Sequence, residues 1–168
     1  GWATPVVLEH QGQAQLVTNS VKRIRGHDPR TGKLLWELGG NSEITVTTPV
    51  LGGGLIIVAN GYPPIQPIYA IKWDARGDIT LKDGAEANAG IAWSKKRGGP
   101  YMPTPLAYGD LLYICSNNGI LSAFRISDGE RVFQERIAGK GGAFSASPIA
   151  SRGRLYLTSE DGEVHVLK

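Results

Sequence analysis

The sequence predicts an all-β protein: a β-propeller of four-stranded antiparallel blades, about four blades' worth, with the last blade incomplete. Three observations predict it. A hydroxyl residue precedes proline at Thr4-Pro5, Thr48-Pro49, Thr104-Pro105 and Ser147-Pro148, with the prolines 44, 56 and 43 residues apart. Each pair opens a series of short apolar segments separated by Gly, Asn and Asp. The same landmarks then recur in the same order. Four short strands in about 40 residues is the pattern of a propeller blade. A plain β-sandwich would not need the landmarks to recur in order. The approximate blades are 1–40, 41–98, 99–140 and 141–168.

The first strand of each unit follows its proline: Val6-Val7, Val50-Leu51, Leu106-Ala107 and Ile149-Ala150. The second is apolar: Gln15-Leu16-Val17-Thr18, Leu55-Ile56-Ile57-Val58, Leu111-Leu112-Tyr113-Ile114 and Leu155-Tyr156-Leu157-Thr158. Glycines at 52–54, 109 and 153 separate the two strands in the later units and permit the positive φ of a tight hairpin. In the first unit, residues 9–13 read as the turn and contain His10.

The third strands align as Ile24-Arg25-Gly26-His27-Asp28, Ile68-Tyr69-Ala70-Ile71-Lys72, Leu121-Ser122-Ala123-Phe124-Arg125 and Val164-His165-Val166-Leu167-Lys168. The small residue at the centre of the first three, Gly26, Ala70 or Ala123, predicts close packing against something large. Asn117-Asn118-Gly119 and Glu160-Asp161-Gly162 are hairpin turns before this strand. The fourth strand ends in an aromatic: Trp36, Trp93 or Phe133. The fourth unit stops before such a strand.

Composition excludes several classes. The 23 glycines and 10 prolines accompany 41% hydrophobic residues, a balance that fits a packed all-β fold and not disorder. No apolar run reaches the roughly 18 residues of a membrane helix, so no transmembrane segment is expected. The net charge of +3 is scattered, without the basic aromatic face of a nucleic-acid protein. A single cysteine, Cys115, cannot form an intrachain disulfide and reads as a core residue.

The segment Gly26-His27-Asp28-Pro29-Arg30-Thr31-Gly32-Lys33-Leu34-Leu35-Trp36 resembles the tryptophan-docking motif of the PQQ-like (quinoprotein-type) propeller repeat family, Ala-x-Asp-x-x-Thr-Gly-Lys-x-x-Trp. Gly26 stands for the Ala; Asp28, Thr31, Gly32, Lys33 and Trp36 match. The third unit departs from the motif, with Arg125 for the Asp and Phe133 for the Trp. The second has Lys72 for the Asp. The resemblance implies that Trp36, Trp93 and Phe133 wedge between blades, each against the small residue of an adjacent blade. It also implies a periplasmic or secreted location. Such propellers commonly have eight blades, so remaining blades or a second copy are expected to close the ring and cover the open edges.

No cofactor is evident in this chain. The family's PQQ site uses a vicinal disulfide and a calcium ion, and Cys115 has no neighbouring cysteine. Asp74, Asp78 and Asp83 are the nearest approach to a calcium loop, and they sit in an insertion, 73–90, that reads as solvated. His10, His27 and His165 lack zinc spacing. Gly139-Lys140-Gly141-Gly142 is not followed by the Lys-Ser/Thr of a phosphate loop. Ser145 and Ser147 lack a partnered His and Asp. No metal site and no catalytic residues are assigned, and the balance leans away from an enzyme. Binding is expected at the funnel mouth, through Trp2, Tyr101, Met102 and Phe144, beside Val46-Thr47. The partner would be a protein or a small molecule. The loops 61–67 and 73–90 are further candidates for recognition, the first through Tyr62-Pro63-Pro64. The function read here is non-catalytic ligand binding or protein scaffolding. The alternative is a fragment of a PQQ-dependent dehydrogenase whose cofactor site lies outside this chain.

Overall fold

The computed structural model describes residues 1–137 and 142–168. All regular structure in them is strand. The first sheet contains β1 (Val6–His10), β2 (Gln13–Asn19), β3 (Ile24–His27) and β4 (Leu34–Leu38). The second begins with β5 (Val50–Gly52), β6 (Leu55–Ala59) and β7 (Ile68–Lys72); the chain then forms the short β8 (Gly77–Asp78) before β9 (Ile91–Lys95) completes that sheet. The third contains β10 (Leu106–Tyr108), β11 (Leu111–Cys115), β12 (Ile120–Arg125) and β13 (Arg131–Arg136). The last has three strands, β14 (Ile149–Ser151), β15 (Arg154–Thr158) and β16 (Val164–Leu167). In each sheet the strands just named form an antiparallel meander, and together the sheets form an open part of a propeller.

The first hairpin is tighter than the sequence suggests. Its turn is only Gln11-Gly12, with φ of 50° and 73°. Two successive positive φ values give the turn whose twist matches paired strands. His10 therefore pairs with Gln13 inside the sheet rather than sitting in the turn. Its ring packs edge-on against Trp73 of the second blade, 5.5 Å between centroids.

The insertion 73–90 also departs from expectation. Asp74, Asp78 and Asp83 are exposed, but Ala75 and Ile79 are buried in one apolar cluster with Trp36, Leu38 and Tyr69. β8 pairs in parallel with β4, Trp36 opposite Gly77 and Glu37 opposite Asp78. The insertion thus adds a fifth strand to the first sheet. Its apolar side chains are what tie it down, since they must leave water against that cluster.

One irregularity repeats. In the three complete blades the third and fourth strands slip register directly after Gly26, Ala70 and Ala123. These small residues lie opposite Trp36, Trp93 and Phe133. The family resemblance placed the small residue on an adjacent blade; here it is the cross-strand partner within the same blade. A bulge at this point re-aims the aromatic. At Gly26 a Cβ would come 2.2 Å from the Trp36 Nε1, so glycine is what lets the indole lie flat on the strand.

The motif's aspartate has a local task. Asp28 accepts the backbone N–H of Arg30 at 2.8 Å and of Thr31 at 3.2 Å. Those bonds, the one from Arg30 first, hold its carboxyl below the usual range. The third blade keeps the turn without that aspartate: Asp128, in the place of Thr31, accepts the Glu130 N–H at 2.9 Å. Arg125 then pairs with Asp128 and Glu130.

Candidate binding cleft between the second and third blades

At two of the four hydroxyl-proline pairs, Thr104-Pro105 and Ser147-Pro148, the hydroxyl links neighbouring blades. The Thr48 backbone N–H donates to Thr104 Oγ1 at 3.1 Å, and the Thr104 N–H donates to Ser147 Oγ at 2.9 Å. Proline follows because its ring Cδ crowds the preceding residue and holds it extended, and because it starts the strand without a donor. Between the first two blades a buried amide cluster takes over. Asn60 Nδ2 donates to Asn41 Oδ1 at 2.7 Å, and Asn41 Nδ2 donates to Asn19 Oδ1 at 2.9 Å. Asn19 Nδ2 in turn donates to the Thr47 carbonyl at 2.8 Å. Satisfied networks of this kind fix one geometry. Sequence reading missed these asparagines, because they lie in three separate loops or strand ends.

The residues expected at the funnel mouth do not form one site. Trp2 is 72% exposed, its backbone N–H donating to the Thr45 carbonyl. Met102 is 37% exposed. Tyr101 is half-buried against Tyr62, 5.4 Å between centroids. Phe144 is completely buried, packed with Cys115, Leu121, Leu155 and Leu157, and so has no surface to offer a ligand. Thr47 is buried as well, its hydroxyl donating to the Ala59 carbonyl.

The blade junctions differ from one another at one level. Register places Tyr69, Ser122 and His165 at the same point of β7, β12 and β16, one residue before Ala70, Ala123 and Val166. At the first junction Tyr69 reaches across, its hydroxyl donating to the Gly40 carbonyl at 2.7 Å, with Leu38 and Ile91 buried beside it. At the third, Phe144 fills the space against His165, 5.5 Å between centroids. At the second, the small Ser122 leaves a cleft of about 540 Å³. Lys95 stands where the first junction has Leu38, and Arg131 where it has Ile91.

The cleft has an apolar floor of Ile114, Ile120 and Phe124 and a rim of Lys95, Arg97 and Arg131. Gln66, Gly99, Ser116 and Asn118 also line a second lobe of about 300 Å³ that continues to Pro63 and Tyr101. The space is therefore elongated. Tyr101 and the 61–67 loop, both singled out from sequence, meet at one end of it. Gln134 Nε2 donates to Ser122 Oγ at 3.1 Å and holds the floor.

Reactive groups are sparse. Among the described residues no three His, Cys, Asp or Glu side chains are placed to hold a metal ion. Cys115 is buried, and burial pushes its thiol up to about 11. Gly139, Lys140 and Gly141 of the glycine-rich stretch lie outside the described residues. No helix among the described residues is long and apolar enough to cross a membrane.

Known proteins share this architecture. A curated relative, the outer membrane protein assembly factor BamB of Moranella endobia (strain PCIT), is 23% identical over 93% of this chain and 39% of its own length. The crystal structure of BamB from Moraxella catarrhalis superposes with a TM-score of 0.67 at 19% identity, over 99% of this chain and 46% of that one. A europium-containing methanol dehydrogenase superposes at 0.51 with 15% identity, over 86% of this chain and 22% of that one. The chain thus spans less than half the length of the BamB relatives it matches. The family model described as outer membrane protein assembly factor BamB matches residues 20–168, and the chain, with its PQQ-like repeats, belongs to that family.

Proposed function

We propose that this chain is part of a non-catalytic propeller scaffold that holds a protein partner during outer membrane protein assembly, on the extracytoplasmic side. One observation carries the reading: at the level of Tyr69, Ser122 and His165 the first and third junctions are filled by aromatic side chains and the second is open, with a cationic rim; the third junction has a cavity of about 570 Å³ at another level, beside Tyr113, Phe133 and Leu167. A rigid scaffold that leaves a cleft open at a level its other junctions fill offers a place to hold a partner. Membership of a family described by outer membrane protein assembly supports the setting. Fold likeness to a methanol dehydrogenase is the support for the PQQ-dependent alternative. Dye reduction by full-length protein supplied with PQQ and calcium would favour it.

The terminal sheet faces fit a larger ring. Leu34 is 45% exposed where its counterpart Ile91 is buried, and Val164 is 58% exposed where its counterpart Ile24 is buried. Further blades or a second copy would cover them.

Photo-crosslinking tests the scaffold. A benzoylphenylalanine at Arg97 or Asn118 of the full-length protein, in the intact envelope, is expected to capture a component of outer membrane assembly. The same probe at Lys33, on the first-blade turn, is expected to capture none. Equal capture at all three positions, or none in the cleft, sinks the reading.

A further inference from the structure

We propose that the cleft between the second and third blades takes an extended acidic peptide segment carrying aliphatic side chains. The inference rests on the scaffold reading above and names the partner's chemistry. Charge is the first argument. Lys95, Arg97 and Arg131 form no ion pair among the described residues, and no carboxylate lines the cleft. Asp128 lies near enough to Lys95 for that charge to help hold its carboxyl low, so the uncompensated charge of the rim rests on Arg97 and Arg131, which raise the local potential and favour an anionic partner.

Shape is the second. The two contiguous lobes make a trough, which suits a chain in extended conformation better than a compact anion. Its floor of Ile114, Ile120 and Phe124 rewards an apolar side chain, which inorganic phosphate or a polyanion lacks. Gln66 and Asn118 on the walls carry the amide donors and acceptors that match peptide groups.

The third argument is a precedent in the same molecule. β13, which supplies Arg131 and Gln134, is an edge strand. The corresponding edge, that of β4, already accepts an extended segment, β8, in parallel. Edge pairing adds a strand in the plane of the sheet, so it applies to the part of the segment that leaves the trough at the Arg131 rim and not to the part over the floor.

Fluorescence anisotropy tests the proposal with a fluorescein-labelled octapeptide alternating glutamate and leucine. It is expected to bind, more weakly as salt rises. Arg97→Glu with Arg131→Glu is expected to weaken binding at least about tenfold. Arg30→Glu with Lys33→Glu changes the net charge equally on the exposed first-blade turn and is expected to leave binding intact. Ser122→Tyr, which plugs the cleft as Tyr69 plugs the first junction, is expected to abolish it. Circular dichroism checks that each variant is folded. The proposal is overturned if an all-glutamate octapeptide binds as tightly, if a lysine–leucine octapeptide does, or if the Arg30/Lys33 pair weakens binding as much. Failure of the octapeptide with the Arg97 crosslink intact removes the acidic class and leaves the scaffold; loss of both removes both.

Discussion

The indole N–H of Trp93 donates to the backbone carbonyl of Ile126 at 2.7 Å, from the second blade to the third. Gly129 lies beneath the same ring, where a Cβ would meet the indole at 2.6 Å. At the first junction the equivalent carbonyl belongs to Trp73, and it is reached by relay. Trp36 Nε1 donates to Gln15 Oε1 at 2.9 Å, and Gln15 Nε2 donates to the Trp73 carbonyl at 2.7 Å. The docking tryptophan is therefore a polar strut as well as an apolar wedge. It fixes the spacing of the blades that border the cleft.

Separating the strut from the wedge takes two substitutions. Trp93→Phe keeps most of the ring but leaves the Ile126 carbonyl without its donor, a loss of about 1–3 kcal/mol. Trp93→Ala removes the wedge too and is expected to cost about 3–5 kcal/mol. Urea unfolding reads both. Wild-type stability in Trp93→Phe would show that the hydrogen bond contributes nothing.

Gly26 bears on the same geometry from the opposite strand. The family pattern has alanine there, and Ala70 and Ala123 hold that place in the other blades. In this blade Trp36 lies too close for a Cβ. Gly26→Ala is expected to destabilise by about 1–3 kcal/mol, as overpacking does. Combining it with Trp36→Phe should recover part of that loss, because the clashing atoms are Nε1, Cε2 and Cζ2 of the indole. A double-mutant cycle with no coupling would contradict the contact.

The blades were legible in the sequence because their signals are local: glycine turns, apolar alternation and the recurring hydroxyl-proline pair. The role of that pair was not legible, since Thr104 and Ser147 act on backbone from another blade. β8 was missed because two residues are too few to show a period, although Ala75 and Ile79 carried the apolar hint. The cleft is a contrast between equivalent positions. Its signal was present in the aligned third strands, where Tyr69, Ser122 and His165 share a column. Phe144 was misread because nothing near it in sequence announces His165 as its neighbour.

The hydroxyl chain makes its own prediction. Thr104→Val preserves shape but removes the acceptor for the Thr48 N–H. A loss of about 1 kcal/mol is expected, with faster amide exchange at Thr48. Thr104→Ser retains the hydroxyl and should retain the protection. Unchanged exchange in Thr104→Val would mean that the Thr48 amide is held by something else.

Cys115 offers a test that depends on pH. It is 1% exposed among Leu121, Phe144, Leu155 and Leu157, and burial pushes its thiol up to about 11. An ordinary thiol ionises near ~8.5. Below that value both folded and unfolded chains hold the proton, so the group adds no pH dependence. Above it the unfolded chain releases the proton while the folded chain keeps it, so stability should fall with rising pH up to about 11. Cys115→Ala is expected to flatten that part of the profile, whatever its cost at neutral pH. The thiolate is the reactive form, so iodoacetamide at pH 8 should label the native protein far more slowly than the protein in urea. Equal labelling rates in the two conditions would place Cys115 in solvent and take the third blade junction apart.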